Sequence, residues 1–466
     1  MAQGQSGLEH ILKRARTAQA VAATWSQEKV DDLVAAAGWA AWQEGGTIEL
    51  ARQAAAESGL GRAEDIAKRH RNRVLGLLGD LHRVPSCGLI ETDVGSGLKK
   101  FAQPIGVIAM TIPATAPTAA VAGNALTILK TRNAAVFCPN PSVAGVADTM
   151  TEILRRALAA YGAPADLLQC LSDPNREIMK ELMAASDLVI ATGGRGVVER
   201  ARASVTPCYT AGVGNSVILV DETADIGAAA ASILAGKCFD NGTSCSAESV
   251  LVIQEDVWQA MIEALVAQGG YLCTAKESER LAGTFWPQGA EGPRRLIGRS
   301  ATQIAAAADI CAGSSARALL VAPEEAPGSS LFSGEKLAPI LALWPYQAFD
   351  DGLEILRRLL EHCGRGHSCG IYSRVDGRPE VLAQTLPVAR VMCNHSTGIG
   401  NSGAPNNGMP FTTTLSCGSW GGSITTENVT WRHLVNVTWL AQPIERPRQK
   451  LADLFGRHFR EITAAE

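Results

Sequence analysis

One cysteine of the twelve in this 466-residue sequence stands apart by its setting. Cys245 lies in the segment Phe239-Asp-Asn-Gly-Thr-Ser-Cys245-Ser-Ala-Glu248, directly after a polar, glycine-containing turn. Attack on a carbonyl carbon needs the thiolate, and a free thiol with a pKa of ~8.5 is only a few per cent ionised at neutral pH. A turn that aims backbone N–H groups at the sulfur lowers that pKa and can also hold a developing oxyanion. The predicted chemistry is therefore nucleophilic catalysis on a carbonyl compound. The other eleven cysteines sit in no motif and form no C-x-x-C pair, so they are read as packing, and no metal site is expected.

Two further segments have the composition of binding or proton-transfer sites. Ala191-Thr192-Gly193-Gly194-Arg195-Gly196 falls between an apolar run and a helical pattern. Absent side chains followed by a helix N-terminus suit a pyrophosphate, and Arg195 is a candidate partner for a 2′-phosphate. His367, in the turn Gly366-His367-Ser368, is a candidate proton acceptor for an incoming thiol, and a cysteine–histidine relay is open as well.

These residues need elements to position them, and the hydrophobic pattern supplies alternating ones. Residues 7–80 are alanine-rich with apolar side chains at three- and four-residue steps, with a helix start at Ser26-Gln27-Glu28. Residues 90–101 loosen around Gly95 and Gly97, which predicts a hairpin. Short apolar runs at 105–112, 134–138, 167–171, 188–191 and 217–220 then alternate with helical stretches, the signature of a parallel, doubly wound sheet. The alternation restarts after residue 236, and residues 394–422, rich in Gly, Asn, Ser and Thr, read as a long ordered loop. The expected fold class is α/β, with two doubly wound domains and a small oligomerisation β-element. The boundaries are a dinucleotide-binding domain at 1–235 with its hairpin at 88–104, a catalytic domain at 236–428, and a C-terminal strand and tail at 429–466.

Composition excludes several functions. With 42 basic and 46 acidic residues the net charge is -4, too balanced for a phosphate-neutralising nucleic-acid binder. No apolar run is long enough for a transmembrane helix, and the first twenty residues lack a secretory core. They read instead as an amphipathic helix with Leu8, Ile11, Leu12 and Ala15 on its packing face. A cytoplasmic enzyme with reduced thiols is the expectation.

Taken in order, these segments resemble the aldehyde dehydrogenase superfamily, and within it the CoA-acylating branch that includes acetaldehyde, propionaldehyde and sulfoacetaldehyde dehydrogenases. The likeness runs through Gly106-Val-Ile, Pro113 to Thr118, Lys130-Thr-Arg-Asn133, Ala191-Thr-Gly-Gly194 and Gly214-Asn215. It continues through the Cys245 segment, Glu335-Lys336-Leu337, Gly366-His367-Ser368 and Cys417-Gly-Ser-Trp-Gly-Gly422. The resemblance implies that Cys245 is the nucleophile, forming a thiohemiacetal and then, after hydride loss to NAD or NADP, a thioester. It implies that Glu335 bonds the nicotinamide ribose, that coenzyme A is co-substrate, and that the chain assembles as a homodimer or homotetramer. Hydrolytic members carry a water-activating glutamate shortly before the nucleophile, whereas Val205–Val220 holds no carboxylate, which favours release of the acyl group to a thiol. The family turn carries an oxyanion-binding asparagine where this chain has Ala116. Thr115 or the Cys245 backbone N–H is then left to serve, since one such donor is worth roughly 3–4 kcal/mol. Two other readings remain open: a phosphate-dependent semialdehyde dehydrogenase of the same fold, and a catalytically weak scaffold paralogue, the latter motivated by Ala116.

Overall fold

The computed structural model describes residues 2–289 and 294–460. The last six residues of the expected tail, 461–466, lie outside the described residues. Four helices open the chain: α1 (Ala2–Ala22), α2 (Gln27–Gln43), α3 (Ile48–Ser58) and α4 (Ala63–Leu81). Their boundaries follow local chemistry. The Ser26 and Thr47 hydroxyls accept the N–H groups of Lys29 and Leu50, and Gly59, at φ 66°, ends α3 in a left-handed turn. Leu8, Leu12, Ala15, Ala18 and Ala22 of α1 are buried in the first core, so this amphipathic face packs inward.

The predicted hairpin is present as β1 (Gly88–Asp93) and β2 (Leu98–Pro104). A five-stranded parallel sheet follows, built from β3 (Val107–Ile112), β4 (Ala134–Pro139), β5 (Leu168–Cys170), β6 (Leu188–Thr192) and β7 (Cys208–Ala211) in the order β5-β4-β3-β6-β7. Every residue of β3 and β4 is buried, as expected of strands covered on both faces. The covering helices include α5 (Pro117–Lys130), α6 (Ala144–Ala160), α7 (Arg176–Ala185) and α8 (Arg195–Ala203).

The second sheet has seven parallel strands: β8 (Ser216–Val220), β9 (Glu248–Gln254), β10 (Gly270–Leu272), β11 (Ala318–Val321), β12 (Ile340–Tyr346), β13 (Cys369–Tyr372) and β14 (Val391–Cys393). Here the expected domain boundary at 235/236 needs correction. Strand β8 lies between β9 and β13, and the helix Ile226–Cys238 packs beside it, so the sheets change between Ala211 and Ser216. A fully buried apolar strand carries the same pattern in either sheet, so residues 217–220 looked like a continuation of the first.

The expected start of the C-terminal unit at 429 also shifts. Val429, Trp431 and Leu434 return to the first core, and only then does β15 (Val435–Ala441) pair antiparallel with β2 to form a three-stranded sheet. All twelve cysteines are free thiols, but Cys311 and Cys393 are exposed, so those two do not serve packing.

Candidate active site

The path into Cys245 is strained and pinned. Asp240, Asn241 and Gly242 have φ of 51°, 52° and 69°, three consecutive left-handed residues. That conformation costs a residue with a side chain roughly 1–2 kcal/mol, least for Asp and Asn. Helix α4 holds the turn in place. The Asp240 carboxylate receives Arg69 Nη2 at 2.7 Å and the Arg62 N–H at 2.7 Å, while the Asp240 N–H donates to Asp65 at 3.0 Å. Arg69 Nη2 also donates to the Thr115 carbonyl at 2.7 Å, tying the 113–117 turn to the nucleophile turn.

Cys245 Sγ stands 3.3 Å from His367 Nε2. Behind the ring, Nδ1 lies 2.9 Å from Ser368 Oγ, which is 2.8 Å from Ser216 Oγ and accepts Asn401 Nδ2 at 2.9 Å. Burial pushes the Cys245 thiol up to about 12, with the nearby Glu335 charge adding to the effect. Burial pulls His367 down to about 3, helped by the Arg390 guanidinium. At neutral pH the pair is therefore a thiol beside a neutral imidazole, able to pass one proton from sulfur to Nε2 as a bond to carbon forms. His367 is buried with its Nε2 addressing Cys245, the contact that a cysteine–histidine relay needs.

Cys245 opens onto a cavity of about 770 Å³ between the two sheets. Thr115, Thr192, Gly193, Gly194 and Glu335 line it too, so the structure gathers most of the residues singled out from the sequence. Glu335 is committed at both oxygens, accepting the Gly214 N–H at 2.9 Å and facing Arg294 at 3.4 Å. Burial raises its pKa, opposed by Arg294. Gly214 presses on the nucleophile: a Cβ there would stand 2.0 Å from the Cys245 carbonyl oxygen. Gly212 and Val213 also line the cavity. Ala116 heads α5 with no side-chain cap, so nothing at that position replaces an amide donor.

The cavity fits a dinucleotide. Gly194 caps α8 without a side-chain bond, which leaves the Arg195 and Gly196 N–H groups at the helix start to a ligand. A Cβ on Gly193 would crowd Val197 at 3.1 Å. Arg200 lines the cavity with its Nε buried and without a partner. Arg195 does not line it; the side chain is exposed and pairs with Glu199 at 2.9 Å. Arg176, Arg200 and Arg294 are the cavity cations that the sequence reading missed. For Arg200 a signal existed, since 193, 197 and 200 share one helical face. Arg69 gave none, because its contact to Asp240 spans 171 residues.

A thiol paired with an imidazole, at the floor of a nucleotide-sized cleft between two parallel sheets, defines a cysteine-dependent oxidoreductase. The chain belongs to the aldehyde dehydrogenase family, which it matches over residues 2–412. It is 38% identical over 459 residues to a sulfoacetaldehyde dehydrogenase of Acholeplasma sp, covering 98% of this chain and 95% of that one. It is 39% identical over 437 residues to an acylating sulfoacetaldehyde dehydrogenase of Bilophila wadsworthia (strain 3_1_6), covering 93% and 94%. Among solved structures, an acetylating aldehyde dehydrogenase from Geobacillus thermoglucosidasius superposes with a TM-score of 0.92 at 31% identity, covering 96% of this chain and 99% of that one.

Proposed function

We propose that the protein is a CoA-acylating aldehyde dehydrogenase: aldehyde + CoA-SH + NAD(P)+ gives acyl-CoA + NAD(P)H + H+. The Cys245 proton moves to His367 Nε2 while sulfur bonds the carbonyl carbon. The resulting oxyanion lies by the Cys245 N–H and Thr115. A nicotinamide dinucleotide, bound by Thr192, Gly193, Gly194 and Arg200 and oriented by Glu335, supplies the hydride acceptor. The acyl group then remains on Cys245 as a thioester until the CoA thiol displaces it.

The carrying observation is the setting of Cys245. Gly212, Val213 and Gly214 flank it without a carboxylate, and both oxygens of Glu335 are engaged. No carboxylate is free to activate water there, whereas a thiol exchanges with a thioester in a nearly thermoneutral step. The names of the two relatives make sulfoacetaldehyde the first aldehyde to test. We also infer a homodimer or homotetramer, supported by Val437, Trp439 and Leu440 exposed on β15, and a cytoplasmic setting, supported by twelve free thiols.

Product analysis with and without CoA tests the reading. NADH or NADPH is expected in equal amount to acyl-CoA, with little free acid when the thiol is left out. Full-rate acid formation without CoA would reject acyl transfer, and a rate that needs phosphate would favour the acyl-phosphate route.

A further inference from the structure

The strands of the first sheet are parallel, so their C-terminal ends share one edge, and the dinucleotide cavity lies along it. Sheet order sets the direction of the bound molecule. Just past β7, Gly214 lies against Cys245, while Thr192 ends β6, Ile112 ends β3 and Pro139 ends β4, the last three on the cavity wall. In the order β7-β6-β3-β4, three strand spacings separate the first from the last, about 14 Å. That is the span of an extended dinucleotide. A nicotinamide that meets Cys245 and Glu335 therefore sets its pyrophosphate at the start of α8 and its adenosine at the end of β4. There Asn175, Arg176 and Glu177, at the start of α7, complete the wall.

In a doubly wound sheet a carboxylate near the adenosine accepts the ribose hydroxyls of NAD, whereas an arginine accommodates the 2′-phosphate of NADP. Strand β4 runs out through Cys138-Pro139-Asn140-Pro141, with no carboxylate. The Asn140 oxygen already accepts the Ser142 N–H at 3.1 Å and hydroxyl at 3.0 Å, so the side chain has only its NH2, a donor, left to offer. Arg176 brings further donors, and among the described residues it joins no ion pair. Helix energetics do not account for it, because a cation at the first position of α7 faces the positive end of the helix dipole. The same dipole does account for Glu177, an acid in that first turn. The other two cavity arginines have places already. The Arg200 Nη atoms lie 3.6 and 3.8 Å from where a Gly196 Cβ would be, so this guanidinium turns back to the start of α8 and the pyrophosphate. Arg294 pairs with Glu335 at the nicotinamide end.

We propose that Arg176, with the Asn140 amide beside β4, binds the 2′-phosphate of the coenzyme, so that the enzyme prefers NADP+ to NAD+. This rests on the acylating reading above and decides only its dinucleotide. A guanidinium fork gives a phosphate two parallel, charge-assisted N–H donors, whereas the 2′-hydroxyl of NAD+ offers it one neutral oxygen.

Binding and turnover test it separately. In calorimetric titration of the free enzyme, without aldehyde or CoA, NADP+ should bind roughly tenfold or more tightly than NAD+. Adenosine 2′,5′-bisphosphate should displace it better than AMP does. With propionaldehyde and CoA, kcat/KM should favour NADP+ by a similar factor. In Arg176→Met the NADP+ to NAD+ ratio should fall roughly 10-fold in both Kd and kcat/KM, carried by KM rather than kcat, and Arg176→Lys should recover part of it. A wild type that binds NAD+ more tightly, and loses that advantage in Glu177→Gln, holds a ribose diol at this corner and overturns the proposal. So does a wild type for which the bisphosphate is no better than AMP, even if Arg176→Met does not fold. An unchanged ratio in folded Arg176→Met overturns it too. Each of these results leaves acyl-CoA as the product, whereas free acid in its place with either dinucleotide would remove the acylating reading itself.

Discussion

At the scale of single residues, the site rests on a protonated sulfur. Burial raises the Cys245 thiol to about 12 and lowers His367 to about 3, and both shifts favour the neutral thiol–imidazole pair at neutral pH. The sign is direct: raising the thiol pKa leaves less thiolate at any pH below it, so reactivity toward a soft electrophile climbs as pH rises. Iodoacetamide labelling of Cys245 in the free enzyme is expected to accelerate about tenfold per pH unit from 6 to 9 without a plateau, following the thiolate fraction. A plateau near pH 7 would mean that His367 holds the proton in the resting state. The sequence singled out Cys245, and the partner His367 as an alternative relay. It was silent on the buried chain behind the ring, because Ser216, Ser368 and Asn401 come from three separate segments.

At the scale of elements, the nucleophile is placed by close backbone approach. Gly214 leaves no room for even one carbon beside Cys245, and Asp240 locks the preceding turn to α4. Gly214→Ala should therefore cost about 100-fold or more in kcat, the scale of an ångström-sized misplacement of a reacting group. Near-wild-type turnover by that variant would show that the approach is slack. Strand periodicity made β3, β4 and β6 legible, since continuous apolar runs bounded by Pro or Gly say both strand and burial. It failed at β7, whose four residues are only half covered and follow Pro207, and the fully apolar β8 was taken to close the first sheet in its place. Pairing partners of short buried strands are set by packing far along the chain, so pattern alone does not assign them. Arg195 failed for a related reason: a helix N-terminus announces a ligand, but which side chains face it depends on the helix rotation, and that favours Arg200.

At the scale of the whole molecule, the chain crosses from the first sheet to the second at 211–216 and returns to the first core through Val429, Trp431 and Leu434. Both sheets thus hold the cleft from two sides. Strand β15 then leaves the body with Trp439 and Leu440 exposed, Lys100 stacking on the Trp439 ring at 4.6 Å. If this surface joins subunits, Trp439→Glu should lower the mass measured by light scattering toward that of one chain, and an unchanged mass would place the interface elsewhere. The central claim, that the molecule holds an acyl group on sulfur until a thiol takes it, is open to one direct measurement. Enzyme mixed with aldehyde and dinucleotide, without CoA, should gain the mass of one acyl group, mapped to Cys245 and discharged on adding CoA. An adduct on another cysteine, or one that decays to free acid as fast in plain buffer as with CoA, would contradict the account.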